Sequence, residues 1–327
     1  MVRFLIKGAA LALVIVLTGT AIIAFPGAYL HELAAVINKR DMLVSRKPPR
    51  LIFIGGSNLL SLNGPMLERE LEMPVVNMGL YANIPLVDYF EDIAGYLSHG
   101  DMVVIVQEYG SLINRSTERL LASERIGVEQ FLFLLSPCKY LLRSLERGAP
   151  FDTVRIWASL IQLKLKSLIK FGTAGKIGIA LRPGVPRYGE VFDANGDYRY
   201  PFLVIRPLLE GAAYSRPDIS CITHLKRMIR TGGERGAQVY FSFPPTPESN
   251  FRLNRKQIEG LYVIMQREIP AALVNAPDDH RYPDDYFADT VNHLQPNGEQ
   301  IRSRKLVEQL KKTIAAARRS SDKSGNF

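Results

Sequence analysis

The sequence predicts an α/β protein with a doubly wound, mostly parallel sheet of five strands, a helical insertion and one N-terminal transmembrane helix. Three observations predict this architecture. Short apolar segments alternate with segments whose apolar residues recur at helical spacing. Residues 115–215 interrupt this alternation after the third strand. An uncharged apolar run lies near the N-terminus, before the alternating segments begin. Strands that alternate with helices pair in parallel and are covered by helices on both faces.

The N-terminal segment has the pattern of a membrane anchor. Arg3 and Lys7 precede an apolar run at residues 8–25, and no charged residue follows until Glu32. With residues 4–6 the run reaches the roughly 20 residues that cross a bilayer. The positive flank predicts a single-pass protein of the cell membrane whose main domain lies on the extracytoplasmic, periplasmic side. A cleaved signal peptide is the alternative interpretation.

The rest of the chain divides into a neck, one large domain and a tail. Residues 1–25 are the predicted anchor, 26–49 a helical neck and linker, 50–318 the α/β domain with its insertion at 115–215, and 319–327 a polar tail. The five strands are predicted at 51–54, 74–79, 102–106, 238–243 and 272–275. Helices are predicted at 85–97, 217–230, 253–268 and 296–317.

Composition and charge limit the classes of partner. With 47% hydrophobic and 22% charged residues, most of the 327-residue chain is expected to be globular. The net charge of +9 is concentrated at residues 139–176 and 302–319. Such runs are typical of solvated helix faces, or of surfaces that attract anionic lipids or polymers. No nucleic-acid-binding motif accompanies them, so nucleic acid is not expected as a partner.

The two cysteines, Cys138 and Cys221, show no metal-binding spacing. No metal and no cofactor are therefore predicted. Outside the cytoplasm the two thiols could pair, and the sequence leaves this open because the distance between them is unknown.

Three features that could carry chemistry follow predicted strands or precede the last helix. Ser57 follows the first strand after two glycines, Gly79 ends the second, and Asp289 and His293 stand just before the final helix. Ligands of open parallel sheets bind at the carboxyl ends of the strands. A serine nucleophile needs a base, and the base needs an orienting acid. The pattern therefore predicts acyl transfer through a covalent intermediate.

These blocks resemble those of the SGNH (GDSL-like) hydrolase superfamily over residues 50–110 and 235–317. The resemblance implies a flavodoxin-like fold with a triad of Ser57, His293 and Asp289, and with oxyanion donors at the backbone of Ser57 and Gly79. The segment 287–294, with Gly298 after it, is similar to the membrane-anchored, cell-envelope branch of the superfamily. Members of that branch include polysaccharide O-acetyltransferases and the protein that helps to D-alanylate teichoic acids.

The sequence departs from the family pattern at three places. Gly56 stands where the first block has aspartate, and Asp289 lies four residues before His293 instead of three. Glu108 follows the third strand where the family supplies an asparagine donor, and an ionised carboxylate cannot donate a hydrogen bond. Two interpretations stay open: Asn58, Asn83 or Asn114 supplies the missing donor, or the oxyanion hole is weaker than in the family.

Two functions remain open at this point. The resemblance favours an ester hydrolase or O-acyltransferase that acts on acyl groups of an anionic or neutral cell-envelope polysaccharide, alone or with a membrane-bound acyltransferase. The alternative is a non-catalytic envelope protein of the same fold that binds a glycan or assembles with a membrane acyl-transfer partner. A hydrogen bond between the serine hydroxyl and the imidazole would favour the enzyme, whereas Glu108 bonded directly to Ser57 would favour the alternative.

Overall fold

The computed structural model describes residues 29–80, 86–113, 192–198, 213–214 and 219–324. The chain divides into two compact units. The first comprises Met1–Ala35 and Arg119–Gly189, and apart from residues 29–35 it lies outside the described residues. The second comprises Val36–Glu118 and Glu190–Phe327, and it contains the sheet and the candidate site.

Strands and helices are numbered here along the described residues. The strands are β1 (Leu51–Gly55), β2 (Val75–Asn77), β3 (Met102–Val106), β4 (Gln238–Phe241), β5 (Thr246–Pro247) and β6 (Arg281–Tyr282). The helices are α1 (Tyr29–Ser45), α2 (Gly64–Leu71), α3 (Leu86–Ala94), α4 (Tyr109–Ile113), α5 (Ile219–Glu234), α6 (Glu248–Glu268) and α7 (Pro296–Ser324). Short 3-10 turns lie at Ser57–Leu59, Pro277–His280 and Asp284–Tyr286.

Strands β1 to β4 form a parallel sheet in the order β2-β1-β3-β4, which confirms the predicted α/β class and parallel pairing. Within the described residues this sheet has four strands and not the predicted five. The fifth segment runs beside β4 but pairs with it only where Leu273 lies opposite Phe241. The ladder stops there because the Asn275 side chain bonds the backbone of Phe243, accepting from its N–H at 2.7 Å and donating to its carbonyl at 3.2 Å.

The two central strands are buried along their whole length, as expected for parallel strands that have helices on both faces. On one face Phe53 of β1 belongs to a core cluster with Leu67 of α2 and Leu306 of α7. On the other face α5 lies so close to β4 that a Cβ on Gly232 would lie 2.5 Å from a methyl carbon of Val239. This packing leaves the carboxyl ends of β1 and β3 side by side at one edge.

A buried ion pair joins the residues that precede β1 and β3. Arg50 is 3% exposed and Asp101 is fully buried, with Nη2 of Arg50 2.6 Å from Oδ2 and Nε 3.2 Å from Oδ1. The carboxylate also accepts from the backbone N–H groups of Arg50 and Ser98, each at 2.9 Å. Because both charged groups are paired and hydrogen-bonded, their burial is tolerated, and the contact supports the register in which Leu51 lies opposite Met102.

Residues 192–198, from the predicted insertion, cover the outer edge of β2. The backbone N–H of Asn77 donates to the carbonyl of Asn195 at 2.7 Å, and the Asn195 amide donates to the carbonyl of Val75 at 3.2 Å. The turn requires glycine at 196, where φ is +85° and a Cβ would lie 2.4 Å from the carbonyl oxygen of Asn77. The segment thus occupies hydrogen-bonding groups that an edge strand would otherwise expose.

None of the helices in the described parts of the chain is both long enough and apolar enough to cross a bilayer. The apolar run at residues 8–25, which carries the prediction of an anchor, lies outside the described residues, and so does Cys138.

Candidate functional site

Ser57 lies at the carboxyl end of β1, as the first residue of the turn Ser57–Leu59. The turn is closed by hydrogen bonds from the N–H of Leu59 to the carbonyl of Gly56 at 3.2 Å and from Leu60 to Ser57 at 3.0 Å. Ser57 is 7% exposed. The end of the strand and the tight turn together direct the serine towards the segment that follows β3.

Glu108 follows β3 and lies directly against Ser57. The Ser57 hydroxyl donates to Oε1 of Glu108 at 2.9 Å, and the backbone N–H of Asn58 approaches the same oxygen at 3.4 Å. The approach depends on Gly56, because a Cβ there would lie 2.6 Å from Oε1. The buried carboxylate is thus an acceptor at the position where the family pattern has a donor.

Asp289 and His293 lie in a closed loop just before α7. Phe287 and Leu294 pair as an antiparallel bridge, and the N–H of Ala288 donates to the carbonyl of His293 at 2.9 Å. The loop holds Oδ1 of Asp289 2.8 Å from Nδ1 of His293. The four-residue spacing therefore still allows the acid to contact the imidazole, and a carboxylate on Nδ1 favours the tautomer with its proton there.

Two contacts join the Ser57 turn to this loop. The Asn292 amide donates to Oε2 of Glu108 at 3.1 Å. The Ser61 hydroxyl donates to the carbonyl of Leu294 and accepts from its N–H, both at 3.1 Å. The serine, the glutamate and the acid–histidine loop are therefore brought together at one sheet edge. In this arrangement the single hydroxyl proton of Ser57 is directed at Glu108.

Two of the predicted oxyanion donors, Gly79 and Asn58, are bonded to other groups. The N–H of Gly79 donates to Oδ1 of Asn77 at 2.8 Å, and the buried amide of Asn58 donates to the carbonyl of Val106 at 3.3 Å. Gly79 serves close packing, since a Cβ there would lie 2.3 Å from the Cβ of Leu59. The role of Gly79 and Asn58 as oxyanion donors therefore stays a prediction, and it would require these groups to leave their present partners. Asn83 and Asn114 lie outside the described residues.

A buried polar network supports the Ser57 turn from behind. The Asn77 amide donates to the carbonyl of Leu59 at 2.7 Å and to Asp197 at 2.8 Å. Nζ of Lys39 donates to the carbonyls of Asn77 and Gly196, each at 2.8 Å. Burial lowers the pKa of Lys39 to about 7 and raises the pKa of Asp197 to about 7.

Sequence reasoning does not identify Asn77, Asn292 or Arg302 as parts of the site. Asn292 immediately precedes His293 and Asn77 stands two residues before Gly79, so nearness to a predicted site residue is the available signal. Arg302 has no such signal. It lies buried on α7, and its guanidinium donates to the carbonyls of Asn58 and Ser61, which holds the end of the turn.

A cavity of about 270 Å³ lies between α3, α4 and α5. Its lining is partly apolar, with Leu112 and Met228, and partly polar, with Gln107 and His224. Cys221 also lines it, with Sγ 2.9 Å from the carbonyl oxygen of Ser111. Because Gln107 directly precedes Glu108 in the chain, the cavity lies near the end of β3.

The second unit thus brings a nearly buried serine, a carboxylate and an acid–histidine pair to the carboxyl ends of two neighbouring parallel strands. Compared with models of protein families and with curated proteins, the chain matches none.

Proposed function

We propose that the chain is a membrane-anchored SGNH-like acyltransferase or esterase that acts on acyl groups of a cell-envelope polysaccharide. The observation that carries this proposal is the 2.8 Å hydrogen bond between Asp289 and His293, in a loop joined to Ser57 through Asn292 and Glu108. The strand order supports it as well. The order β2-β1-β3-β4, with Leu273 beside β4, agrees with a flavodoxin-like arrangement.

In the proposed reaction Ser57 attacks the carbonyl carbon of an acyl ester and forms an acyl-enzyme. The Asp289–His293 pair supplies a base, and the Asp289 carboxylate stabilises the imidazolium that forms when the ring accepts a proton. A glycan hydroxyl or water then takes the acyl group from Ser57. A serine and an acid–base pair supply the nucleophile and the proton transfers of both half-reactions.

A non-catalytic envelope protein of the same fold is the second candidate, and a specific observation favours it. Ser57 and Glu108 are buried, and the serine hydroxyl donates to the carboxylate. Buried polar side chains that form hydrogen bonds with each other are also common in proteins where they have a purely structural role. Such a protein would bind a glycan or assemble with a membrane acyl-transfer partner.

Labelling with a serine-directed phosphonate distinguishes the two candidates. We expect the full-length chain to be labelled at Ser57, because a phosphonate captures a serine that can attack an electrophile. The Ser57→Ala protein should not be labelled. Ser242→Ala is the matched control, since Ser242 is another buried serine, at the end of β4, and its loss should leave labelling unchanged. Absence of label from the wild-type chain would favour the non-catalytic candidate.

The proposed location has its own test. Arg3 and Lys7 before the uncharged run at residues 8–25 should hold the N-terminus in the cytoplasm and carry the C-terminus across the membrane. A reporter that works only outside the cytoplasm should therefore be active when fused to the C-terminus. Activity of a cytoplasm-only reporter at the same position would refute this topology.

A further inference from the structure

Glu108 contacts the hydroxyl that attacks in the proposed reaction. Oε1 lies 2.9 Å from Oγ of Ser57, within the roughly 2.6–3.2 Å at which a general base takes a proton. We propose that Glu108 accepts the proton of Ser57 in the acylation step, and that His293 acts as base in the second step. This assignment rests on the proposed function. It gives each of the two steps of the reaction its own base, Glu108 for the first and His293 for the second.

Donors orient both oxygens of the Glu108 carboxylate. Oε2 accepts from the Asn292 amide at 3.1 Å, and Oε1 faces the Ser57 hydroxyl with the N–H of Asn58 at 3.4 Å. An ionised carboxylate can only accept hydrogen bonds, so the hydroxyl is necessarily the donor in its contact with Oε1. These contacts point Oε1 in the direction that proton acceptance from Ser57 requires.

The backbone provides space for this contact. A Cβ at position 56 would lie 2.6 Å from Oε1 and 3.0 Å from Cδ of Glu108, so a side chain there would displace the carboxylate. The absence of a side chain at Gly56 therefore allows the Glu108 carboxylate to reach the Ser57 hydroxyl. Asn292 in turn bonds Glu108 to the loop that carries His293, so one hydrogen bond links the segments of the two bases.

The acylation step balances with Glu108 as the only base. The O–H bond of Ser57 breaks, its proton passes to Oε1, and Oγ bonds to the acyl carbon while the carbonyl electrons move to the carbonyl oxygen. When this intermediate collapses, the ester C–O bond breaks and the leaving oxygen takes the proton back from Glu108. In the second step His293 takes the proton of the glycan hydroxyl or water, the new C–O bond forms, and Oγ leaves and recovers a proton from His293.

The test is the rate of phosphonate labelling of full-length Glu108→Gln, measured across pH. Glutamine keeps the size and an acceptor oxygen, but an amide does not take a proton, so we expect labelling to slow by about 100-fold or more. Glu68→Gln is the matched control, since Glu68 accepts from Asn195 and Val75 N–H away from Ser57.

Each outcome decides between the assignments. Labelling of Glu108→Gln at the wild-type rate at every pH would overturn the role of Glu108 and leave the proposed function standing. A wild-type chain without label would overturn both. If Glu108→Gln does not fold, Glu108→Asp retains a carboxylate on a shorter side chain, and we expect it to label more slowly than the wild type but faster than Glu108→Ala. An Asp variant that labels no faster than Glu108→Ala would overturn the assignment.

Discussion

Replacement of Ser57 by alanine is expected to abolish ester turnover, with a loss in kcat on the order of 10⁴-fold or more. The hydroxyl is the proposed nucleophile, and alanine has no group that could replace it in the contact with Glu108. His293→Ala and Asp289→Ala should cause similarly large losses, because the imidazole is held by the 2.8 Å contact to the acid. Residues that act as one unit do not contribute additively, so the Ser57/His293 double variant should be no slower than either single variant. Hydrolysis of an aryl acetate by the purified full-length chain measures all of these rates.

His224→Ala is the control for loss of an imidazole, since His224 is an exposed residue that lines the cavity between α3, α4 and α5. We expect it to turn over at the wild-type rate. Thermal unfolding of the Ser57 and His293 variants should match the wild type, which separates lost chemistry from lost structure. Full turnover by Ser57→Ala, or losses that multiply in the double variant, would contradict the proposed site.

Replacement of Asp101 by alanine is expected to lower the free energy of unfolding by about 3–5 kcal/mol. The change leaves the Arg50 guanidinium, which is 3% exposed, without its carboxylate partner at 2.6 Å. It also removes the acceptor for the N–H groups of Arg50 and Ser98. An uncompensated charge in a buried position costs much more than a lost surface contact, and urea denaturation of the full-length chain measures the difference.

The exposed pair of Arg281 and Asp278 is the matched control for this prediction. These side chains are 32% and 66% exposed and lie 3.4 Å apart, so Asp278→Ala should cost less than about 1 kcal/mol. A second variant, Arg50→Met with Asp101→Leu, removes both charges and should recover much of the loss. If Asp101→Ala costs no more than Asp278→Ala, the ion pair does not hold the starts of β1 and β3 together.

Much of the fold and part of the site can be read from local signals. The apolar runs that became β1 and β3 are buried throughout, and a strand of this kind requires helices on both faces of a parallel sheet. The glycines before Ser57 mark the end of β1, and Pro296 marks the start of α7. Because parallel strands end at the same edge, the residues that follow β1 and β3, Ser57 and Glu108, are expected to lie side by side, as they do.

The limit of local signals is visible at the fifth strand. Residues 272–275 have the apolar character of a strand, yet they pair with β4 only at Leu273. The Asn275 side chain bonds the backbone of Phe243 across 32 residues, and it replaces the next ladder bonds. A short apolar run does not show that a side-chain amide will replace the backbone hydrogen bonds of the ladder. Asn275 finds its partner, Phe243, only after the sheet has packed.

The α/β class and the parallel pairing follow from the amino-acid sequence, because both depend on periodicity within short segments. The partner that each polar group takes is set by the packed sheet. Ser57 donates to Glu108 across 51 residues, and Asn292 donates to Glu108 across 184 residues. The Gly79 N–H donates to the Asn77 side chain, and Leu59 leaves no room for a side chain at position 79. Hydrogen bonds act over about 3 Å, so such choices depend on the direction of each side chain at the sheet edge, which exists only once the strands are packed.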